Sequence, residues 1–338
     1  MTRNVLGPMV LYLQNNNNIR RYAMAKNMIQ FQKGLSLPEF LSIYGTEVQC
    51  HQALFRMRWP NGFSCPYCGH TMYCELRTRK VFQCYKCRSQ TSLTSGTIFA
   101  DTKLGLSSWF LGIYLITQSK DGISSLNLAR SLGISANAAL RMKHKTQQVM
   151  KEREEIKPLA GYIQVDDSYM GGKSRGGKRG RGASGKTPFI AAVTTTEEGH
   201  PLAMKFNVIS GFTKQEIADW AKKHIISGSV ITSDGLGCFP GFEEAGCTHM
   251  SIVTGGGAAS VDIPDFKWVN TMIGNLKNAI RGTHHSISRK HIPRYLAEFC
   301  YRFNRRFRLG EMIERFLWVA ARTVPMPQRL LKLAEIQW

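Results

Sequence analysis

The chain has 338 residues, of which 43% are hydrophobic and 20% charged, and this composition excludes a globally disordered protein. Lysine and arginine number 45 against 23 acidic residues, so the net charge is +22 and the pI near 9.8, which favours an anionic partner such as nucleic acid. No apolar run approaches the roughly 18 to 20 residues of a membrane-spanning helix, so we expect no membrane partner.

Changes in periodicity and composition divide the chain into six predicted units. A length prior of roughly 150 residues per domain suggests two or three folded domains among them. Nine cysteines without an export signal fit a reducing compartment, so we expect a cytoplasmic protein. The units are a leader at 1–34 that is disordered or an added helix, a helical segment at 35–62, a cysteine-rich module at 63–98, a three-helix region at 104–150, an α/β domain at 159–310 and a C-terminal helical tail at 311–338.

The first motifs are a helix and two cysteine pairs. Apolar residues recur at helical spacing through the segment 35–62, and Pro38 stands where that helix would begin. Two CxxC pairs follow, separated by fifteen residues. Each pair forms a tight turn that directs two thiolates at one point, and two turns complete the tetrahedral site of structural zinc. The predicted ligands of this zinc ribbon are Cys65, Cys68, Cys84 and Cys87, whereas Cys74 and His70 are interpreted as bystanders.

The region 104–150 has the pattern of a helix-turn-helix. A helix, a short Asp-Gly turn and a second helix ending near Gly133 precede a third helix, for which Ser135 is the predicted N-cap. The third helix carries three cations that we predict to contact DNA, namely Arg141, Lys143 and Lys145. A three-helix unit that only packs is the alternative. A charged hinge is predicted at 151–158.

Short β-rich runs in the second half of the chain end on acidic residues. "YIQVD" ends at Asp166 and "SVITSD" ends at Asp234, and helices follow from Trp268. Strands followed by helices indicate a mixed sheet covered by helices. Carboxylates at strand ends can converge and ligate a hard cation such as magnesium, although acids after strands are also ordinary turn residues.

A glycine-rich basic loop follows the first of these acids. The stretch from Gly171 to Lys186 has seven glycines and no acidic residue, so we expect it to order on a phosphate backbone rather than serve only for solubility. The predicted DNA contacts in this loop are Lys173, Arg175, Lys178, Arg179 and Arg181.

Several motifs in order resemble a known family. "MRWPNGFSCPYCGH", "TSLTSGTIF", "VDDSYMGGK", "SDG" and "WVNTMIGNLKNAIRGTHHSISRKHIPRYLAEFCYRFNRR" together resemble prokaryotic insertion-sequence transposases that join an N-terminal zinc ribbon to a ribonuclease-H-like catalytic domain. The resemblance covers about residues 35–310. It implies a multidomain α/β fold, in which the zinc ribbon and the helix-turn-helix-like region precede a ribonuclease-H-like mixed sheet with helices at 159–310.

The resemblance also implies roles for individual residues. The two catalytic aspartates of the family match Asp166 and Asp234, and a second acid is usual at Asp167. Many members have a glutamate with a lysine seven residues later, whereas this chain has Asn270 and Lys277, as in a similar subgroup. Mg²⁺ or Mn²⁺ would be held by Asp166, Asp234 and Asn270, with Lys277 on a phosphate. Reserve candidates for the third ligand are Asn275, Asp262, Asp265 and Glu298.

The function that the resemblance implies is that of a DNA transposase. Such an enzyme would bind the terminal inverted repeats of its element and target DNA, cut and join strands with a catalytic metal, and work as a homo-oligomer on DNA. We expect it in the cytoplasm, associated with the nucleoid through DNA. The alternatives are an inactive DNA-binding descendant and a related metal-dependent nuclease.

Overall fold

Three hydrophobic cores organise the part of the chain that the structure describes. The computed structural model describes residues 33–171, 185–252, 263–285 and 287–334. One core joins the N-terminal helices, the cysteine module and the last helices of the chain, and the other two lie on the two faces of a five-stranded sheet. Among the helices in these ranges, none combines the length and apolarity needed to cross a membrane.

The N-terminal segment forms two helices where the apolar periodicity predicts one. They are α1 (Leu37–Tyr44) and α2 (Glu47–Arg58). Ser36 and Thr46 each begin a helix in a capping box, with Glu39 and Gln49 as the reciprocal partners. The second capping box satisfies the first N–H groups of α2, and the helix is therefore interrupted there.

The cysteine module is a small antiparallel sheet. Its strands are β1 (Tyr73–Leu76), β2 (Val81–Cys84) and β3 (Gln90–Ser92), in the order β1-β2-β3. Phe82 at its centre packs against Trp59 and Phe63, with ring centroids 5.4 and 6.0 Å away. The module is thus joined to the end of α2 by an aromatic cluster.

Three helices follow in the predicted order. They are α3 (Leu106–Gln118), α4 (Ser125–Leu132) and α5 (Ala136–Glu155). Gly133 ends α4 in the left-handed conformation with φ 62°, and the Ser135 hydroxyl caps α5 by accepting a hydrogen bond from the N–H of Ala138 at 3.2 Å. Because α5 continues to Glu155, the first five residues of the predicted hinge are helical. A continuous helix therefore leads from the first half of the chain into the second.

The second half is built on a mixed sheet. Its elements are β4 (Tyr162–Met170), β5 (Thr187–Thr195), β6 (Pro201–Val208), α6 (Lys214–His224), β7 (Val230–Ser233) and β8 (Thr248–Ser251). The strand order is β6-β5-β4-β7-β8, with β5 antiparallel to both β6 and β4, and β7 parallel to both β4 and β8. This arrangement confirms the predicted mixed α/β fold and is consistent with a ribonuclease-H-like sheet.

Four α-helices follow the sheet in the described residues up to 334. They are α7 (Lys267–Thr283), α8 (Ile292–Asn304), α9 (Met312–Ala320) and α10 (Gln328–Leu333). α7 and α8 pack on one face of the sheet, and α6 packs on the other. Phe316 and Leu317 of α9 are buried in the N-terminal core. The segment predicted as a C-terminal tail therefore packs, in its described part, against the first helices of the chain.

A buried charged cluster joins α5 to α8. The Glu298 carboxylate accepts hydrogen bonds from Gln147 Nε2 at 2.5 Å and from Arg302 Nη1, and Lys143 Nζ lies 3.6 Å from it. Lys143 also donates to the carbonyl oxygen of Ile123 at 2.5 Å. Burial by itself would raise the pKa of Glu298, but the charges of Lys143 and Arg302 hold it at about 2. Glu298 is therefore an internal counter-ion between the two halves.

We expect Glu298→Gln to lower the free energy of unfolding by about 3–5 kcal/mol, because two buried cations would lose their counter-charge. Urea denaturation at pH 7 measures this difference. The pKa of Glu298 is depressed in the folded state, so its stabilisation is complete above the ordinary value near 4.5 and is lost as the pH falls toward 2. The gap between wild type and variant should shrink over that window.

Glu244→Gln is the matched control for this prediction. Glu244 forms an exposed ion pair with Lys214 at 3.1 Å, and such pairs contribute about 0–1 kcal/mol. Equal losses in the two variants would contradict the assignment of Glu298 as the counter-ion that stabilises the contact between α5 and α8.

Candidate functional site

The four cysteines of the two CxxC pairs meet at one point. Their Sγ atoms all lie within 4.8 Å of one another, in the set Cys65, Cys68, Cys84 and Cys87. The sulfurs of Cys65 and Cys87 are 3.6 Å apart, as are those of Cys68 and Cys84. A tetrahedral zinc with Zn–S bonds of about 2.3 Å needs sulfurs about 3.8 Å apart. The cluster therefore has the composition and spacing to hold structural zinc.

Both CxxC pairs fold into the same tight turn. The N–H of Gly69 donates to the carbonyl oxygen of Cys65 at 2.9 Å, and the N–H of Arg88 donates to that of Cys84 at 3.0 Å. Each turn ends in a left-handed residue, with φ 71° at Gly69 and 60° at Arg88. Hydrogen bonding to Ser89 lowers the pKa of the Cys87 thiol to about 6, which favours the thiolate form that zinc requires.

Two aspartates from distant parts of the sequence meet at the end of the central strand. β4 and β7 are parallel neighbours, and their last paired residues are Gln164 and Thr232. Asp166 and Asp234 each lie two residues beyond this pair, so the two-residue period of a strand directs both carboxylates to the same face. Oxygens of Asp166, Asp167 and Asp234 lie within 4.8 Å of one another. The register of the parallel strands therefore creates an acidic cluster.

Burial and two neighbouring carboxylates act on the Asp166 carboxyl. Burial first, and then the charges of Asp167 and Asp234, raise its pKa to about 7. The N–H of Asp167, 2.8 Å from Oδ1, and the charge of Lys277 lower this pKa without offsetting the rise. A divalent cation would relieve the repulsion, and carboxylate oxygens are the ligands that Mg²⁺ and Mn²⁺ prefer. The residues present thus fit a catalytic metal.

We expect Mn²⁺ affinity to fall by up to about tenfold per pH unit below pH 7, because the metal must displace the Asp166 proton. The raised pKa also means that the contribution of Asp166 to stability is complete below its ordinary value near 3.8 and is lost as the pH rises to about 7. Titrations of free Mn²⁺ by electron paramagnetic resonance between pH 6 and 8 test the first expectation. An affinity that is constant over this range would contradict it.

Helix α7 is fixed to the central strand by Gln164. Its Oε1 accepts hydrogen bonds from the N–H groups of Trp268 at 3.0 Å and Val269 at 3.2 Å, and its Nε2 donates to the carbonyl oxygen of Pro264 at 3.3 Å. No residue of α7 or its own N-cap provides a capping side chain. Gln164 therefore caps the helix from the strand, satisfying N–H groups that would otherwise lack acceptors.

The remaining predicted site residues lie on or beside α7. Asn270 comes directly after the anchored N–H groups and is half-buried, and Lys277 lies two turns later on the same side of the helix. α7 packs on the face of β4 that carries Asp166, and the charge of Lys277 acts on that carboxyl. Asn275 and Asp265 are exposed. The assignment of Asn270 as the third ligand stays a prediction, supported by its half-buried position on the helix that carries Lys277.

We expect Gln164→Leu to weaken Mn²⁺ binding by about 10- to 100-fold, because the start of α7 would lose its anchor to the strand that bears Asp166. The loss of two acceptors should also lower the free energy of unfolding by about 1–3 kcal/mol. Thr46→Ala removes the side-chain cap of α2 and is the control, since it lowers stability by about 1 kcal/mol far from the acids. If both variants bind Mn²⁺ like wild type, Gln164 has only a structural role.

Two family models match the regions that contain these sites. The transposase zinc-ribbon domain matches residues 45–90, and the ISXO2-like transposase domain matches residues 158–304. Both matched models describe parts of insertion-sequence transposases, and they occur in this chain in the order ribbon, then transposase domain. An uncharacterized protein in transposable element ISH50 of Halobacterium salinarum is 25% identical over 282 residues, which cover 77% of this chain and 91% of that protein. The family resemblance expected from the sequence motifs is confirmed.

The transposase domain and the ribbon include the predicted ligands, but the predicted DNA contacts need correction. Lys143 is 0% exposed and serves the Glu298 cluster, so the prediction that it contacts DNA is wrong. Lys145 is half-buried and donates to the carbonyl oxygen of Ile98 at 2.9 Å, which turns its ammonium away from solvent. Of the three cations predicted on α5, only Arg141 is exposed.

Other predicted residues are either outside the described ranges or have a different role. The loop cations Lys173, Arg175, Lys178, Arg179 and Arg181 lie outside the described residues, as does Asp262. Glu298 was a reserve candidate for the third ligand, but its carboxylate is fully enclosed by cations of α5 and α8, and this prediction is wrong.

Two capping residues were missed by sequence reasoning. Gln164 is one, and the other is Glu47, whose carboxylate accepts hydrogen bonds from the N–H groups of Leu106 at 2.8 Å and Ser107 at 2.9 Å. In both cases the cap and the helix are far apart in sequence. No local motif marks such a pair, although the absence of a capping side chain before α3 and α7 is a readable signal that a partner exists elsewhere.

Proposed function

We propose that this chain is a DNA transposase that binds the terminal inverted repeats of its insertion sequence and catalyses metal-dependent strand cleavage and strand transfer. The observation that carries the proposal is the convergence of Asp166 and Asp234 at the ends of neighbouring parallel strands inside a transposase domain. Two carboxylates in that position suit the metal-assisted chemistry of phosphodiesters.

Each site residue has a distinct part in this proposal. Asp166, Asp234 and Asn270 hold Mg²⁺ or Mn²⁺, which when bound would stabilise charge on the reacting phosphate and activate the attacking oxygen. Lys277, whose charge already acts on Asp166, holds a phosphate oxygen of the strand beside the acids. Water attacks at the element end and leaves a 3′-hydroxyl, which then attacks target DNA. No protein side chain becomes covalently attached to DNA.

Charge and exposure support binding of duplex DNA. The net charge is +22, and the zinc-holding ribbon carries a set of exposed cations, namely Arg77, Arg79, Lys80, Lys86 and Arg88. Each cation that neutralises a phosphate releases a counter-ion, so affinity falls steeply as salt rises. Because both ends of an element must be processed together, the active form is a dimer or a larger homo-oligomer on DNA.

One feature favours a second candidate function. Asn270 supplies a neutral oxygen where many relatives of this type would have a carboxylate, so the metal site has one negative charge fewer. A chain that retains the ribbon and the basic surface but binds metal weakly would be an inactive DNA-binding descendant. A nuclease of the same fold is the third possibility, since cleavage alone needs no second DNA.

The test is an assay on a short duplex that carries the inverted repeats flanking the gene, with a separate target duplex and either Mg²⁺ or Mn²⁺. A transposase gives nicks at the element end and products joined to the target. Nicks without joined products would indicate the nuclease. Specific binding of the end without nicks under either metal would indicate the inactive descendant.

A further inference from the structure

We propose that the outer face of the first two turns of α5 reads base pairs in the major groove of duplex DNA. α4, the turn at Gly133 and α5 form a helix-turn-helix whose inner side is closed by the buried residues Leu128, Ala129, Ala139 and Met142. Burial of that side fixes the angle between the two helices. The opposite side of α5 is thereby held outward as a rigid surface.

Three side chains form this surface, which we call the reading face: Asn137, Leu140 and Arg141. All three are exposed, and Leu140 is 36% exposed although it is apolar. Residues at i, i+3 and i+4 lie on one side of a helix, so the three point together. Asparagine pairs with adenine and arginine with guanine through two hydrogen bonds each, and apolar groups contact the thymine methyl. The chemistry of the face is that of base recognition.

Charge around the reading face favours DNA over another protein. No acidic residue occurs from Gly122 to Lys151. Arg130 is exposed on α4, and α10, which packs on α5, adds exposed Arg329 and Lys332. Cations beside base-reading side chains can bind the phosphates that border the groove. A second copy of this basic chain would be repelled from the same surface.

The reading face differs from the surface that the sequence pattern predicts. Lys143 and Lys145, later in α5, face the interior and hold the helix against Ile123 and Ile98. They support α5 from behind and do not meet DNA. Arg141 Nη1 donates to Gln328 Oε1 of α10 at 3.1 Å, a contact that a guanine would replace. The inference rests on the proposed function in one respect, that the DNA read is the element end.

The experiment selects from duplexes that contain twenty random base pairs, using the full-length protein without Mg²⁺ or Mn²⁺ so that DNA is not cut. Wild type should enrich a short motif. Asn137→Ala should lose preference at one or two adjacent base pairs, with discrimination reduced about 5- to 150-fold there, while other positions are retained. Arg141→Lys keeps the positive charge but lacks the paired N–H donors of the guanidinium. The preference at the base pair that Arg141 contacts should therefore fall, while the affinity for random duplex is unchanged.

Two control variants distinguish a loss of base recognition from a change in local structure and from the loss of a positive charge. Gln328→Ala removes the hydrogen bond between Gln328 and Arg141 but keeps the Arg141 side chain. Lys222→Ala removes an exposed cation on α6. Both variants should enrich the wild-type motif. The proposal is overturned if Asn137→Ala and Arg141→Lys both enrich that motif unchanged, or if wild type enriches none. Neither result touches the catalytic proposal, which depends on Asp166 and is measured by strand joining.

Discussion

Asp166→Asn is expected to reduce metal-dependent strand cleavage and joining by at least about 1,000-fold. The change keeps the size of the side chain but removes one of the three carboxyl groups in the cluster where Asp166, Asp167 and Asp234 meet. Loss of a residue that only supports a metal ligand costs about 10–100-fold, and loss of a ligand should cost more. The same change relieves repulsion, so binding of the DNA end should be retained or strengthened.

The control for this experiment is Asp219→Asn, an identical chemical change at an exposed position of α6. It should cleave and join like wild type. Measuring DNA binding and Mn²⁺ binding on the same preparations distinguishes a lost metal from a lost fold. If Asp166→Asn joined DNA at the wild-type rate, the catalytic metal would have to be placed elsewhere.

Cys84→Ser is expected to unfold the ribbon and release its zinc. Structural zinc contributes about 10–16 kcal/mol in small zinc-finger peptides, which is comparable to the whole stability of a typical domain. Cys84 is fully buried at the end of β2, where a serine could neither replace the thiolate nor fill its volume. Elemental analysis should find one zinc per wild-type chain and none in the variant, and protease cleavage within residues 63–98 should accelerate.

Cys74→Ser provides the matched control, since Cys74 is a half-buried cysteine of the same module that lies outside the four-sulfur cluster. It should keep its zinc and its resistance to protease. Retention of one zinc by Cys84→Ser would mean that the metal is held by other ligands. Because the ribbon packs on α2 through Phe82 and Trp59, loss of zinc should also expose that aromatic cluster.

The parts of the site that could be predicted are those determined by local spacing. A CxxC turn places two sulfurs within a few residues, so the composition of the zinc cluster was readable from the sequence. Asp166 and Asp234 required one further assumption, that their strands are parallel neighbours. The structure contains that pairing, with both acids at equivalent distances beyond the last bridge.

The parts of the site that could not be predicted depend on contacts between segments that are far apart in the sequence. Lys143 belongs to a helix with a DNA-binding pattern, yet α8 covers it, and the counter-charge Glu298 comes from the far end of the sequence. The capping role of Gln164 could not be predicted either, because it depends on the packing of α7 against the strand that contains this glutamine. Periodicity predicts where helices lie, but when both faces of a helix are partly polar it does not predict which face is buried.

Helix α5 connects the two halves of the chain as one continuous element. Its first turns carry the proposed reading face, and its last turn is held by Asn304 and Arg305, which donate to Glu154 at 2.6 and 2.5 Å. Twenty residues of helix span about 30 Å. A continuous helix therefore connects the proposed reading face with the half of the chain that holds the acidic cluster, which would fix the spacing between the bases that are read and the bond that is cut. Five added base pairs between them would present the bond on the opposite side of the duplex.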